Sequence, residues 1–139
     1  MQKVILTMVL FFTGLVYSQA QETFSINLSI SGMKSDKGDV YIALYNSEKG
    51  FLKKTFKTTI VKVTDKKASA SFTGLLKGVY AISVFHDKND NKKMDTNFLG
   101  IPKEPIGMSN DAKAFMGPPK YKDAKFMVDK NLNMTIKVK

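Results

Sequence analysis

Apolar and polar residues alternate with a period of two through most of the chain. Phe24, Ile26, Leu28 and Ile30 are separated by Ser25, Asn27, Ser29 and Ser31, the signature of a strand with one buried face. Val40, Ile42 and Leu44 alternate with Tyr41, Ala43 and Tyr45 in a second strand. Thr58 to Val63 is rich in β-branched residues and reads as a third. Ala68, Ala70 and Phe72 alternate with serine and threonine in a fourth. Val79 to His86 is nearly apolar on both faces and belongs in the middle of a sheet. Strands resume at Ala124 to Val128 and at Leu132 to Val138, and Asp129-Lys130-Asn131 between them predicts a hairpin.

About seven short strands, broken by turn signals and with no long helical period, predict an all-β fold. The expected architecture is an antiparallel β-sandwich, immunoglobulin-like or prealbumin-like. One connection stands out. Between Phe98 and Lys120 the chain carries Gly100, Pro102, Pro105, Gly107, Gly117, Pro118 and Pro119, which deny it a long strand or helix. A loop of that length in a compact domain is either functional or pinned by something.

The first residues carry a different pattern. Lys3 precedes an apolar run from Val4 to Val16, and Ser18-Gln19-Ala20 places small residues at the −3 and −1 positions of a cleavage site. Residues 1–20 therefore read as a secretory signal peptide and residues 21–139 as a single β-sandwich domain. The alternative is a retained N-terminal anchor, but the run is shorter than the roughly 20 residues of a membrane span. Export places the protein in the periplasm or outside the cell. The chain has no cysteine, so the domain must rely on its core, with a bound ion as a further possible support.

The formal charge is +10, and Lys3 is the only charge in the first twenty residues, so +10 less one leaves +9 for the rest. Every basic residue is lysine. Without arginine the forked contacts of nucleic-acid recognition are missing, and nucleic acid is not an expected partner. The lysines are scattered, as a solubilising surface would have them. The sharper alternative is attraction to anionic polysaccharide or another envelope component.

Candidate chemistry concentrates after the fifth strand, in Asp87-Lys88-Asn89-Asp90-Asn91-Lys92-Lys93-Met94-Asp95. Asp87, Asn89, Asn91 and Asp95 occupy positions 1, 3, 5 and 9 of a loop that wraps a hard cation, and Lys93 at position 7 offers its carbonyl. Calcium is the expected cofactor. Position 12, where a bidentate carboxylate belongs, is Phe98. Glu104 can supply that carboxylate by folding back from the Gly/Pro-rich segment; Asp90 and Asn97 are weaker candidates. The competing reading is a polar loop whose Asp and Asn side chains bond their own backbone in Asx-turns, with Lys88, Lys92 and Lys93 repelling a cation.

Calcium would preorganise a binding surface from Phe98, Ile101, Ile106, Met108 and Phe115. The bland alternative, favoured for Phe98 and Ile101, is that these residues plug the open end of the core. His86, the sole histidine, stands beside Asp87. With Glu104 the pair could form a hydrolase-like centre, although a lone histidine ending a strand is more often structural. Ser109 has no nucleophile context. Copper(I) on Met94, Met108, Met116, Met127 and Met134 lacks a close methionine pair, and Met127 and Met134 read as core.

Two resemblances sharpen the fold. Phe72-Thr73-Gly74-Leu75-Leu76-Lys77-Gly78-Val79-Tyr80 resembles a motif of secreted prealbumin-like and collagen-adhesin B-type sandwich domains. It implies that Phe72 and Leu75 enter the core, Gly78 permits the turn and Tyr80 packs at the sandwich edge. More broadly, Gly78 through Asp87, the Asn-rich loop, Asp95-Thr96-Asn97, Leu99 through Gly107 and Ser109-Asn110 resemble, in order, the signature of the exported bacterial domain-of-unknown-function family 2141. That resemblance implies export and a small β-sandwich, with no established activity. Two positions depart from it: Lys92 where a loop glycine is usual, and Met108 where an aromatic is expected.

Overall fold

The computed structural model describes residues 20–139. The predicted signal peptide therefore lies, except for Ala20, outside the described residues. Eight strands are present among them: β1 (Thr23–Ser31), β2 (Asp39–Tyr45), β3 (Lys57–Lys62), β4 (Ala68–Leu76), β5 (Gly78–Asp87), β6 (Ile106–Met108), β7 (Phe126–Val128) and β8 (Leu132–Lys137). One sheet has the order β4-β1-β8. The other runs β3-β2-β5-β6, with β7 paired to the start of β5. This is a two-sheet, mostly-β architecture consistent with a sandwich.

The alternation in the sequence becomes the core directly. Ile26, Leu28 and Ile30 of β1 face Val40, Ile42 and Leu44 of β2 and Ile82 and Val84 of β5, all buried. Each such side chain contributes about 1.5–3 kcal/mol on leaving water. Phe72, Leu75 and Tyr80 are buried as the sandwich motif implies, and the Tyr80 hydroxyl donates to Leu76 O at 2.9 Å. β5 is central, as its doubly apolar sequence requires.

Two expectations about pairing are corrected. The last two strands do not form a hairpin: β7 pairs with β5, whereas β8 pairs with β1. Moreover, β1 and β8 run parallel, so the sandwich is not wholly antiparallel. Turn residues between two strands fix a local reversal, but the partner is chosen by which edge is free. The free edge beside β1 takes β8. Met127 is correspondingly half exposed rather than core, while Met134 packs against the main core.

The long connection is pinned at several points. Within it β6 pairs with β5 through Ser83↔Met108 and Phe85↔Ile106. Ile106 and Lys139 exchange backbone hydrogen bonds at 3.1 and 2.9 Å, which closes this flank of the sandwich. Gly107 allows the approach, since a Cβ there would stand 2.7 Å from Ile136 Cγ2. Ser109 is fully buried. Its hydroxyl donates to Ala124 O at 2.6 Å and accepts the Ile82 N–H at 2.9 Å. Its role is to tie the connection to β5. Tyr121–Ala124, expected to begin a strand at Ala124, is instead a single helical turn. Tyr45, Phe51 and Tyr121 pack edge-on over the outer face of β2 and β5, with ring centroids 5.2 and 5.6 Å apart.

Candidate metal centre

β5 ends at Asp87, and the chain turns at once into the Asn-rich loop. Asp87 is completely buried. Its carboxylate accepts the backbone N–H of Lys92 at 2.7 Å and of Asn91 at 3.3 Å. The first ligand position thus curls the loop around itself. Asn89 Oδ1 accepts the Asn91 N–H at 3.2 Å, and Asn91 Oδ1 accepts the Lys93 N–H at 2.9 Å. These are successive Asx-turns. Each amide oxygen has two lone pairs, so one remains after the turn is made.

The loop takes the tight bend that its sequence makes costly. Lys92, at the position where a glycine is usual, adopts φ +64°, and Asp90 adopts φ +57°. A side chain in this left-handed region costs roughly 1–2 kcal/mol. The curl therefore survives the lysine. Replacing Lys92 by glycine should relieve that strain and remove a positive charge near the bend. Calcium titration of Lys92→Gly is expected to show affinity raised by about twofold to fivefold, from the Coulomb cost of one like charge at ~10 Å in water.

Asp95 closes the loop. Its carboxylate accepts Asn89 Nδ2–H at 2.6 Å and Asn91 Nδ2–H at 2.8 Å. From the far side of the Gly/Pro-rich segment, Glu104 returns to it. Glu104 Oε2 accepts the Asp95 N–H at 3.2 Å, and the Lys103 N–H donates to Asp95 O at 2.8 Å. The next turn holds this return in place, because the His86 N–H donates to Pro105 O at 3.0 Å. Asp87, Asn89, Asn91, Lys93, Asp95 and Glu104 thus belong to one hydrogen-bonded neighbourhood. Asn97 does not: its Oδ1 accepts the Leu99 and Ile101 N–H groups and organises the following turn.

The electrostatics of the cluster converge on Glu104. It is 8% exposed, and its Oε1 is buried without a hydrogen-bond partner among the described residues. Burial pushes its carboxyl above the usual glutamate range. The Asp95 amide acts the other way, the negative charges of Asp87 and Asp95 push it up further, and the Lys88 amide lowers it slightly. Among the described residues, no three His, Cys, Asp or Glu side chains are yet gathered as a ready-made ion-binding group. A cation would have to draw the carboxylates inward and displace the asparagine amide protons from Asp95.

The other sequence candidates separate from this cluster. His86 is 1% exposed and alternates with Asp87, so the two neighbours point to opposite faces of the strand. Its Nε2–H donates to Lys37 O at 2.8 Å, and Nδ1 is buried with no partner among the described residues. Phe98 does not plug the core. It is 95% exposed, and Ile101 is also exposed, because the Asn97 turn lifts them off the sandwich end. Phe115 is exposed as well, whereas Met108 is buried against β5.

Sequence reasoning missed Gly38. The Cβ of any other residue there would stand 1.8 Å from the Asp87 carbonyl oxygen, and its φ of +77° already favours glycine. A glycine just ahead of β2 is visible in the sequence, but not its target across the sheet.

No curated protein and no solved structure matches the chain. Residues 28–137 match the family described as "Uncharacterized protein conserved in bacteria (DUF2141)". With most of its length matched, the chain belongs to this uncharacterised bacterial family.

Proposed function

We propose that this is an exported, non-enzymatic β-sandwich module whose Asp87–Asp95 loop and Glu104 are organised by calcium, serving a binding or structural role at the bacterial envelope. The observation that carries this reading is the orphaned Oε1 of Glu104, buried within reach of the negative charges of Asp87 and Asp95. A carboxylate oxygen in that setting needs either a proton or a cation. Calcium suits the donor set, which is all oxygen and mixed in charge. Drawing the carboxylates together costs free energy, so the expected affinity is that of extracellular calcium modules, ~10⁻⁴ to 10⁻³ M.

The sign of the proton linkage gives the test. The folded-state pKa of Glu104 is raised, so folding favours its protonated form. That contribution is present below the ordinary glutamate range and is lost as pH rises through the raised value. At neutral pH, without a cation, ionised Glu104 therefore costs stability. Glu104→Gln keeps the shape and removes the charge. In chelator at pH 7 the variant is expected to melt a few degrees above wild type, with the gap closing as pH falls. Saturating calcium should raise the wild type by about 1.4 kcal/mol at ten times the dissociation constant, roughly 5 °C, and leave the variant unmoved. Equal calcium shifts in both proteins would remove Glu104 from the site. No shift in either would remove the metal.

A further inference from the structure

The outer face of the second sheet carries a cavity of about 840 Å³, and we propose that it binds a single long-chain fatty acid. Its floor is the stacked pair Tyr41 and Phe85, with centroids 4.8 Å apart, followed by the small residues Ala43 and Ser83 and then Tyr45. From Tyr41 to Tyr45 this trough runs about 13 Å along β2 at the usual strand rise. Two stretches of the Gly/Pro-rich connection, Leu99–Pro102 and Met116–Pro119, contribute to its walls. Leu99 and Met116 are 69% and 95% exposed and mark the mouth.

Four of the hydroxyls in the lining are already paired with one another. Tyr45 Oη and Ser83 Oγ share a hydrogen bond at 3.1 Å, and the Thr58 hydroxyl donates to Thr55 at 3.4 Å. Among the described residues no Asp, Glu, Lys or His side chain lines the cavity. The body of the ligand must therefore be apolar, and the volume is that of a small-molecule site. Methionines at Met94, Met108 and Met116 give the walls the adaptable surface that a flexible chain needs.

Charge near the cavity suits an anionic head group. Lys53, Lys54, Lys93, Lys103, Lys113 and Lys120 each neighbour a lining residue in sequence, and all six are exposed. Among the described residues the one acid so placed is Asp95, whose carboxylate is taken up by the amides of Asn89 and Asn91. At the Tyr41 end, desolvation and then the charges of Asp87, Asp39 and Asp90 raise the pKa of the hydroxyl, so an anionic head group belongs away from that end. An apolar trough with exposed lysines next to its lining complements a hydrocarbon chain ending in a carboxylate. The pocket stands on its own geometry and does not rest on the calcium reading.

The test compares palmitate with hexadecanol, which has the same chain length and no charge, by calorimetry at pH 8 on the purified protein in EDTA, where no calcium soap can form. Palmitate should bind one to one, at least fivefold more tightly than hexadecanol. Lys103→Glu with Lys113→Glu should erase that advantage and leave the alcohol unchanged. Ala43→Trp fills the trough and should abolish both. Should that variant not fold, Leu99→Asp with Met116→Asp, both at the exposed mouth, should weaken palmitate at least fivefold. The proposal is overturned if palmitate does not saturate a single site, or if acid and alcohol bind alike. Binding only to anionic phospholipid vesicles, untouched by the mouth variants, would likewise overturn it in favour of a membrane surface.

Discussion

Replacing Asp87 by alanine is expected to destabilise the protein by about 2–3 kcal/mol and to remove calcium binding. Asp87 is fully buried, and its two carboxylate oxygens accept the Asn91 and Lys92 N–H groups. Hydrogen bonds to a charged acceptor contribute roughly 1.5–3 kcal/mol, and a donor left unpaired in a buried site costs about 1–3 kcal/mol. One opposing effect is removal of the negative charge that pushes on Glu104, a smaller quantity because it acts on a single group. The net loss corresponds to a fall of roughly 10 °C in melting temperature. Asp87→Asn separates the effects. It keeps one acceptor oxygen for the shorter bond to Lys92 and loses the charge, so it should retain most of the stability and little of the calcium response. An alanine variant that melts with the wild type would mean that the loop is not held by this side chain.

Substituting Gly38 with alanine should be more damaging still, by more than about 4 kcal/mol, the range reached when backbone strain and steric conflict combine. The new Cβ would meet the Asp87 carbonyl oxygen at 1.8 Å and the Lys88 Cα at 3.0 Å. Neither is the end of a flexible side chain that could swing away. β2 begins at Asp39 opposite Asp87, so relief requires the end of β5 to move outward. The His86 contact to Lys37 O and the first ligand position of the loop move with it. A chain that still folds should therefore melt far below wild type and show no calcium heat. Chemical denaturation with and without calcium measures both. Near-native stability of Gly38→Ala would contradict the close approach of these two backbones.

The strands were legible because each buries one face, and alternation is the direct record of that. β1, β2, β3 and β5 lie within a residue or two of the segments where period-two alternation or β-branched runs placed them. Pairing was not legible. The parallel contact between β1 and β8 depends on which sheet edge remains free, and no local signal in Asp129-Lys130-Asn131 encodes that. β6 was hidden because its three residues centre on Gly107, amid prolines, and its ladder forms against β5 and the C-terminal residues. Exposure was misjudged for Phe98 in the long connection and for Met127 on β7, where apolar character and a strand position suggested burial.

For the site, the spacing of Asp87, Asn89, Asn91 and Asp95 carried the curl, and the missing twelfth ligand led to Glu104. The return of Glu104 to the Asp95 amide is a contact across nine residues, and a turn-rich segment makes it short enough to infer. The left-handed bend at Lys92 could not be read, since the residue argues against it. What enforces the bend is the Asp87 carboxylate bonded to the Lys92 amide, an acceptor in place before the turn is made.

The most direct test of a calcium-organised loop is a calorimetric titration of calcium chloride into protein stripped of metal by EDTA and dialysis, at pH 7. One saturable site with a dissociation constant of ~10⁻⁴ to 10⁻³ M is expected. Binding heat indistinguishable from buffer, together with a melting curve identical in calcium and in EDTA, would contradict it.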